Sequence, residues 1–562
     1  MKTRWLVLFC TTLACGGGSS SGTGGKATGG GGGAIGGGGA GGNKDGGATD
    51  AGGGGTGGMS MYGGRKLVGS RARLIGGPLS ACSTPPGGGD RWCAFTLPSV
   101  MPIGATELWV LNVTKAMTAD VPCDGTNPAC LKLTSTLWTG MPMDANGHPF
   151  IHRFHGEVLF FYGDPPAPVQ TFRGTVFTWR PGWAQAKALS GPNAISCEGH
   201  PTADSALCLE DLHLDAKPPY FDVHAGRVNG NPLPLASRIY PSNDKNAQVW
   251  SMAFSPVGDY FAYSTGGATP TDPETLYAYK IDEVGMAAKR ITVGNLPQWA
   301  FSADGKHWLY LRDYNYPPRN MNILPLGTLM VADFPGGGNA TMIASGVTLF
   351  NAIGGGALPS GVNFFDQVTG GKGTYKIVRD LTKPTEAVTI SQNTFAYERS
   401  PDERFSMVHT QYGTDDIADA VVVKNDGTGR CALAMGPTAA QLGVSFLPHA
   451  GRVFWADNVD KNTLVGAGWM ANPDGCTDKR QFSAGVELWF PAGDRGLLFS
   501  EPGPGNTSTL SVATPGPDLP TPLQPGIDVI YAPLGPDFSY VVYQVTSGGP
   551  DDGLYLYGPI EY

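Results

Sequence analysis

The feature that most constrains this chain is a hairpin that keeps returning. In Ala253-Phe254-Ser255-Pro256-Val257-Gly258-Asp259-Tyr260-Phe261-Ala262-Tyr263, an apolar run meets a tight Ser-Pro-x-Gly turn and then an aromatic, alternating run. That is the pattern of strand, turn and strand. It recurs as Phe301-Ser302-Ala303-Asp304-Gly305-Lys306-His307-Trp308-Leu309-Tyr310, with weaker copies at 399–405, 447–455, 490–499 and 534–541. A period of roughly 45 residues built from hairpins is the signature of propeller blades.

Each repeat reads as four strands, a to d from the inside out. Strand c has a mark of its own, a period-2 apolar run that closes on a turn, as in 107–112, 275–280, 328–333, 375–380 and 421–427. By this count there are about ten repeats. The first spans 78–134, the second 148–190 and the third 194–237. The others begin near Val249, Gln298, Val347, Thr394, Gly443, Val486 and Asp528. The tenth lacks a strand d, and residues 65–69 resemble the d strands at 289–292 and 387–390. An N-terminal strand is therefore expected to close the last blade, because an open sheet edge invites aggregation. The expected fold is an all-β propeller of four-stranded blades, either one large ring or two smaller propellers with a boundary near 237–249.

These residues resemble the TolB-like, WD40-like β-propeller family, whose repeat runs aromatic-Ser-Pro-Asp-Gly, an apolar strand, then Leu-Tyr-x-x-Asp. Phe301-Ser302-Ala303-Asp304-Gly305 and Phe254-Ser255-Pro256-Val257-Gly258 each differ from that motif at one position. The strong copies cover 250–562; residues 66–240 match by pattern only. The resemblance implies the fold and a role in protein interaction. Some family members carry a hydrolase domain after the propeller; here the sequence ends with its last blade. Fold alone leaves function open.

The N-terminus reads as an export signal: Lys2 and Arg4, an apolar stretch from Trp5 to Ala14, then Leu13-Ala14-Cys15 before a run of Gly. This resembles a bacterial lipobox, with Thr12 where Leu is usual, and implies lipidation of Cys15. Gly16 after the Cys resembles lipoproteins sent to the outer membrane. Residues 16–63 are almost all Gly, Ser, Thr and Ala, a composition that cannot bury a core. They form a tether with an r.m.s. span of roughly 40 Å. The expected organisation is signal 1–15, tether 16–63 and propeller 64–562, exported and lipid-anchored to the outer membrane or cell surface of a bacterium. No apolar run reaches the roughly 18 residues of a spanning helix, so contact with membrane is through the lipid.

Eight cysteines remain for the head. Cys82 and Cys93 share one spacing with Cys197 and Cys208, and both pairs fall where two adjacent strands of a blade are expected. Cys123 and Cys130 flank a short loop. Nearest-neighbour disulfides are therefore expected for these three pairs. Cys431 and Cys476 are left to each other. That pair stays open, because equivalent outer positions of neighbouring blades can exceed the Cα separation a disulfide needs.

A net charge of -9 argues against nucleic-acid binding. No P-loop or H-E-x-x-H is present, and no cofactor is expected. Asp211, His213 and Asp215 alternate along one strand and share a face, which makes them weak metal candidates. A solvated face opposite Leu212 and Leu214 explains them equally well. His148, His152 and His155 crowd the second repeat, but a straight strand separates the last two. The longest b–c insertion, 313–320, carries Tyr314, Tyr316 and Arg319, residue types favoured in binding hot spots. A loop packed on its own blade is the plainer alternative. The leading function is a binding module for a protein or glycan at the envelope. The alternative is an extracytoplasmic hydrolase or lyase acting on polysaccharide or peptide at the channel mouth.

Overall fold

A computed structural model describes the chain from residue 65 to 562 with breaks. The longer breaks are 75–81, 84–88, 99–105, 138–152, 164–173, 214–219, 228–232, 240–251, 266–272, 281–288, 316–325 and 411–416. The signal and tether lie outside the described residues, as does most of the 237–249 connection.

The fold is all-β, in small antiparallel sheets arranged as a propeller. Among the described residues six sheets have four strands. In those wholly within one repeat the spatial order follows the chain, as in Ala396–Arg399, Phe405–His409, Ile417–Lys424 and Arg430–Ala439. The expected strands c at 107–112, 275–280, 328–333 and 421–427 sit third in their sheets, and the one at 375–380 is sixth in a longer, seven-stranded sheet.

The ten sequence repeats do not make ten separate sheets. Repeats one and two join through the Leu137↔Gly163 pair into an eight-stranded sheet. Repeats five and six share a seven-stranded sheet. Its link is Thr341–Gly355, a strand whose first half pairs with Leu326–Asp333 and whose second half pairs with Leu358–Thr369. One continuous strand thus serves as d of the fifth repeat and a of the sixth. This is why the sixth repeat is faint in sequence: it has no d–a turn to mark its start.

The hairpin motif has a clear physical basis. The Ser255, Ser302 and Ser400 side chains are buried at the foot of strand a. Each Oγ accepts from the backbone N–H that opens strand b: Tyr260 at 3.1 Å, His307 at 2.9 Å and Phe405 at 2.9 Å. Ser255 and Ser302 also donate to Asp259 and Asp304. The hydroxyl therefore satisfies a turn donor that would otherwise be buried without a partner. Ser83 does the same for Trp92 N–H in the first repeat, across a longer loop that hides the motif.

Alternate residues of each strand pack against different neighbours. Phe405 and Met407 join the cluster shared with the eighth repeat, while Val408 joins the one shared with the sixth. Both faces of a sheet are covered, so its strands read as unbroken apolar runs. Such clusters link repeats one to two, two to three, and each successive pair from four to ten. Repeats three and four meet through His200, whose Nε2 lies 2.9 Å from Gly258 O and whose ring packs on Phe254. The tenth repeat then returns to the first through Val542 and Leu556 against Cys82, Cys93 and Val113. The contacts close into a single cycle.

The closing strand is Arg65–Val68. It pairs antiparallel with Gly553–Tyr557, setting Arg65 opposite Leu556, and Val68 is buried. The missing d strand of the last repeat is thus supplied from the N-terminus.

Among the described residues there are four disulfides: Cys82 with Cys93, Cys123 with Cys130, Cys197 with Cys208, and Cys431 with Cys476. Cys197 and Cys208 face each other on the adjacent strands Ser196–Gly199 and Ser205–His213, with Cα atoms 4.1 Å apart. Cys208 is fully buried and packs into the cluster between the second and third repeats. Cys82 and Cys93 are opposed in the same way, though among the described residues Cys82 makes an isolated bridge where a strand was expected. Cys130 is more than a loop flank. It opens the strand Cys130–Leu137, sits opposite Leu111 and is fully buried, so the bridge pins the loop carrying Cys123 onto the outer strand of the first repeat.

The bond between Cys431 and Cys476 is possible because its ends are not equivalent, which corrects the expectation of matching outer positions. Cys431 lies on strand d of the seventh repeat, whereas Cys476 sits in the c–d turn of the eighth at φ 57°. That turn leans back on the neighbouring outer strand, with Lys479 Nζ donating to Leu433 O at 2.7 Å.

Candidate functional site

The first strands of successive repeats bond to one another and form the inner wall. Gln298 clamps Phe350 through both its amide groups, donating to the carbonyl at 2.7 Å and accepting from the N–H at 3.3 Å. Asn351 donates to the Tyr397 hydroxyl. The Glu398 carboxylate accepts from Val444 N–H at 2.9 Å, and Trp489 Nε1 donates to Ser445 Oγ at 2.8 Å. Side-chain bonds therefore stitch repeats five to nine together along the axis. Burial pushes the Glu398 carboxyl up to about 7, against the opposing pull of the Val444 N–H. Part of the residue still reaches solvent.

Between the sixth and seventh repeats lies a cavity of about 200 Å³, lined by Ile353, Gly354, Pro359, Ile377, Arg379, Asp402, Glu403 and Asn425. A polar chain reaches it through Asn425. Tyr397 donates to Asn363 Oδ1 at 3.0 Å, Asn363 to the Tyr375 hydroxyl at 3.2 Å, and Ser406 to Asn425 Oδ1 at 2.6 Å. Asn425 in turn holds the Glu403 carbonyl at 3.0 Å. Tyr375 is fully enclosed, and burial raises its hydroxyl pKa well above the ordinary tyrosine range.

Glu403 is the unusual member. It occupies the turn position filled by Gly258 and Gly305 in sister hairpins, and it adopts the same left-handed backbone at φ 56°. A side chain there costs on the order of 1 kcal/mol or more, so its retention calls for a role. One oxygen accepts from Arg399; the other, Oε2, is buried with no hydrogen-bond partner among the described residues. Burial would lower the Arg399 pKa, but Glu403 and the two tyrosines more than offset this. Burial would likewise raise Asp402; hydrogen bonds from Ser400 and Arg404 outweigh it and hold that carboxyl below its usual range. Arg379 stands exposed at the rim.

This site was not anticipated from sequence. Its one signal was Glu where other copies of the hairpin carry Gly. The expected binding residues fall elsewhere. Tyr314 belongs to the strand His307–Asn315, not to a loop, and its side chain is outside the described residues, as are Tyr316 and Arg319. The strand is closed by the Asn315↔Leu326 pair, so the insertion proper is 316–325.

Asp211 and His213 lie on the strand Ser205–His213, and Asp215 lies beyond it. The register shifts between Glu210 and His213, which interrupts the plain alternation expected there. Their side chains, and those of His148, His152 and His155, are outside the described residues. The acid that is described on that strand, Glu210, is buried with its Oε2 3.0 Å from His224 Nδ1. Among the described residues no group of three or more His, Cys, Asp or Glu could hold a metal ion, and no helix is long and apolar enough to cross a membrane.

No protein-family model matches the chain, and no curated protein does either. Solved structures do resemble it. One described as the eukaryotic initiation factor is 10% identical with a TM-score of 0.45, over 76% of this chain and 96% of its own. TolB from Acinetobacter baumannii is 14% identical with a TM-score of 0.25, over 57% of this chain and 78% of its own. A prolyl endopeptidase is 14% identical with a TM-score of 0.29, over 56% of this chain, and this chain spans half the peptidase's length. At such scores these likenesses carry no argument about activity or partner.

Proposed function

We propose that the chain is an exported, lipid-anchored propeller that captures a protein or glycan at the cell envelope. The observation that carries this reading is the closing strand. Arg65–Val68 follows directly on the Gly-rich stretch and forms the outer strand of the last sheet. A tether ending there leaves the folded head by its rim and keeps both faces of the ring accessible. Four disulfides are consistent with folding in an oxidising compartment. Cys15 is the lipidated residue in this reading, the outer membrane or cell surface the destination. The insertion 316–325 is one capture surface, through Tyr316 and Arg319 with Tyr314 at its base.

Two measurements test it. Labelling cells with a radioactive fatty acid should mark the wild-type chain and not Cys15→Ala, which should be released as soluble protein. Replacing 316–325 by a two-residue Asn-Gly turn should leave the Asn315↔Leu326 pairing and the fold intact, yet abolish recovery of a partner from envelope extract. An unlabelled wild type would remove the anchor, and undiminished recovery would remove that surface.

A second reading, a hydrolase or lyase acting on polysaccharide or peptide, draws on Asp402 and Glu403 lining one cavity. Turnover of a glycan or peptide panel, abolished in Glu403→Gln, would favour it.

A further inference from the structure

We infer that the bridge between Cys431 and Cys476 is a thiol–disulfide exchange site. An incoming dithiol opens it, and its opening frees the c–d turn of the eighth repeat from the outer strand of the seventh.

Among the described residues this is the one disulfide that joins two repeats. Cys82–Cys93 and Cys123–Cys130 lie within the first repeat, and Cys197–Cys208 lies within the third. Its two ends differ in access. Cys431 is buried in the apolar cluster between the seventh and eighth repeats, whereas Cys476 stands at the margin of that cluster, partly exposed. Both members of the 82–93 and 197–208 bridges are buried. A thiolate must reach the sulfur it attacks, so access selects Cys476. Cys123 is partly exposed too, but its bridge closes a loop inside one repeat and its opening parts no two repeats.

The turn depends on the bridge. Gly475, Cys476 and Asp478 hold left-handed backbone at φ 83°, 57° and 57°, and the two that are not glycine adopt it at a cost. Within the turn, Asn472 N–H donates to Thr477 O at 3.0 Å and Asp474 N–H to Asn472 Oδ1 at 2.9 Å. Two polar ties cross to the seventh repeat. Lys479 Nζ donates to Leu433 O at 2.7 Å, and Asp474 pairs with Lys424 at 3.0 Å in an exposed position where solvent weakens it. The Lys479 ammonium also faces the Trp455 and Trp469 rings of its own repeat, which keeps it out of a protease's reach while the turn is docked. The packing beneath does not need the bond. Phe405, Met407, Phe446 and Trp455 fill the same cluster, so the ring persists when the turn lets go.

The chemistry balances with a dithiol as the reductant. One of its thiolates attacks Cys476 Sγ, the bond to Cys431 Sγ breaks, and Cys431 leaves as a thiolate that takes a proton. The second thiol then attacks the reductant's own sulfur in the mixed disulfide. Cys476 is released as a thiol and the reductant departs as a disulfide, having given two electrons and two protons.

The test is titration of the folded, detergent-solubilised full chain with dithiothreitol, with alkylation read cysteine by cysteine in a mass spectrometer and limited trypsin alongside. Cys431 and Cys476 should take up label before Cys82, Cys93, Cys197 and Cys208. Cleavage after Lys479 or Arg480 should then rise about tenfold, because the freed turn gives up its costly left-handed residues and opens more often. Cys431→Ala/Cys476→Ala should be cut at the raised rate without reductant, and Cys123→Ala/Cys130→Ala should respond as the wild type does. The inference is overturned if either buried pair opens first, or if cleavage is unchanged once Cys431 and Cys476 carry label. Loss of the response in Cys123→Ala/Cys130→Ala would assign it to the first repeat and overturn the inference as well. The wild-type labelling order and cleavage rate decide the matter even where an alanine variant fails to fold.

Discussion

Glu398 offers the sharpest test of how the inner wall is held. Its carboxylate spans from the seventh repeat to Val444 N–H in the eighth. Burial moves its pKa from an ordinary 4.5 up to about 7. At 1.36 kcal/mol per pKa unit, this corresponds to about 3 kcal/mol against holding the ionised form in the folded ring. The residue is partly exposed, so solvent screens some of that, and a measured effect of about 1–2 kcal/mol is expected. The sign follows from proton uptake. Between pH 4.5 and 7 the folded state holds a proton at Glu398 that the unfolded chain has lost. Stability from this group is therefore full below about pH 4.5, falls as the pH rises towards 7 and is flat above it. Glu398→Gln keeps an acceptor for Val444 and removes the charge. Urea unfolding of both proteins at pH 4.5 and pH 8 should show near-equal stability at the lower pH and a variant more stable by about 1–2 kcal/mol at the higher. Asp304 and Asp402, held below their ordinary range, are common to both proteins and cancel in the difference. An equal gap at the two pH values, or a variant weaker at pH 8, would refute the reasoning.

Further perturbations follow from the same wall and its closure. Gln298→Ala leaves the Phe350 N–H and C=O without their side-chain partner and should cost about 1–3 kcal/mol by urea unfolding. Ser302→Ala strips a buried acceptor from His307 N–H and should cost a similar amount, with Ser400→Ala following suit. Deleting 65–68 exposes the outer edge of Gly553–Tyr557, so light scattering should report association at concentrations where the intact chain stays monodisperse. Removing Cys431–Cys476, which closes a separation of 45 residues, should lower stability by about 4 kcal/mol in the chain-entropy model. Removing Cys82–Cys93, with a separation of 11, should lower it by about 3 kcal/mol. A reversed order would show that native-state packing around the bridges outweighs loop closure.

The contrast between the hairpins and the cavity shows what a sequence of this kind can reveal. The hairpins were legible because each repeats one local solution: a serine that satisfies its own turn, then a strand whose two faces are both covered. Closure by 65–68 was legible for a related reason, since a repeat short of one strand must find it elsewhere. The fused fifth and sixth repeats were not, because a strand that changes partners midway at Gly346 leaves no turn to read. The cavity was hidden more deeply. Its residues come from strands a and b of the sixth repeat, strand c and its end in the sixth, and both turns at one end of the seventh. They are neighbours only because the two sheets pack face to face. Within one repeat, Glu403 is just a turn residue and Arg379 just a surface charge. What distinguishes Glu403 is its departure from the glycine that the turn geometry favours. In a fold made of near-copies, positions where a repeat abandons the cheapest local solution are where its packing serves something other than the ring. The hairpin of the seventh repeat is such a place: Glu403 keeps the left-handed backbone of the glycine it replaces and buries one oxygen with no hydrogen-bond partner among the described residues.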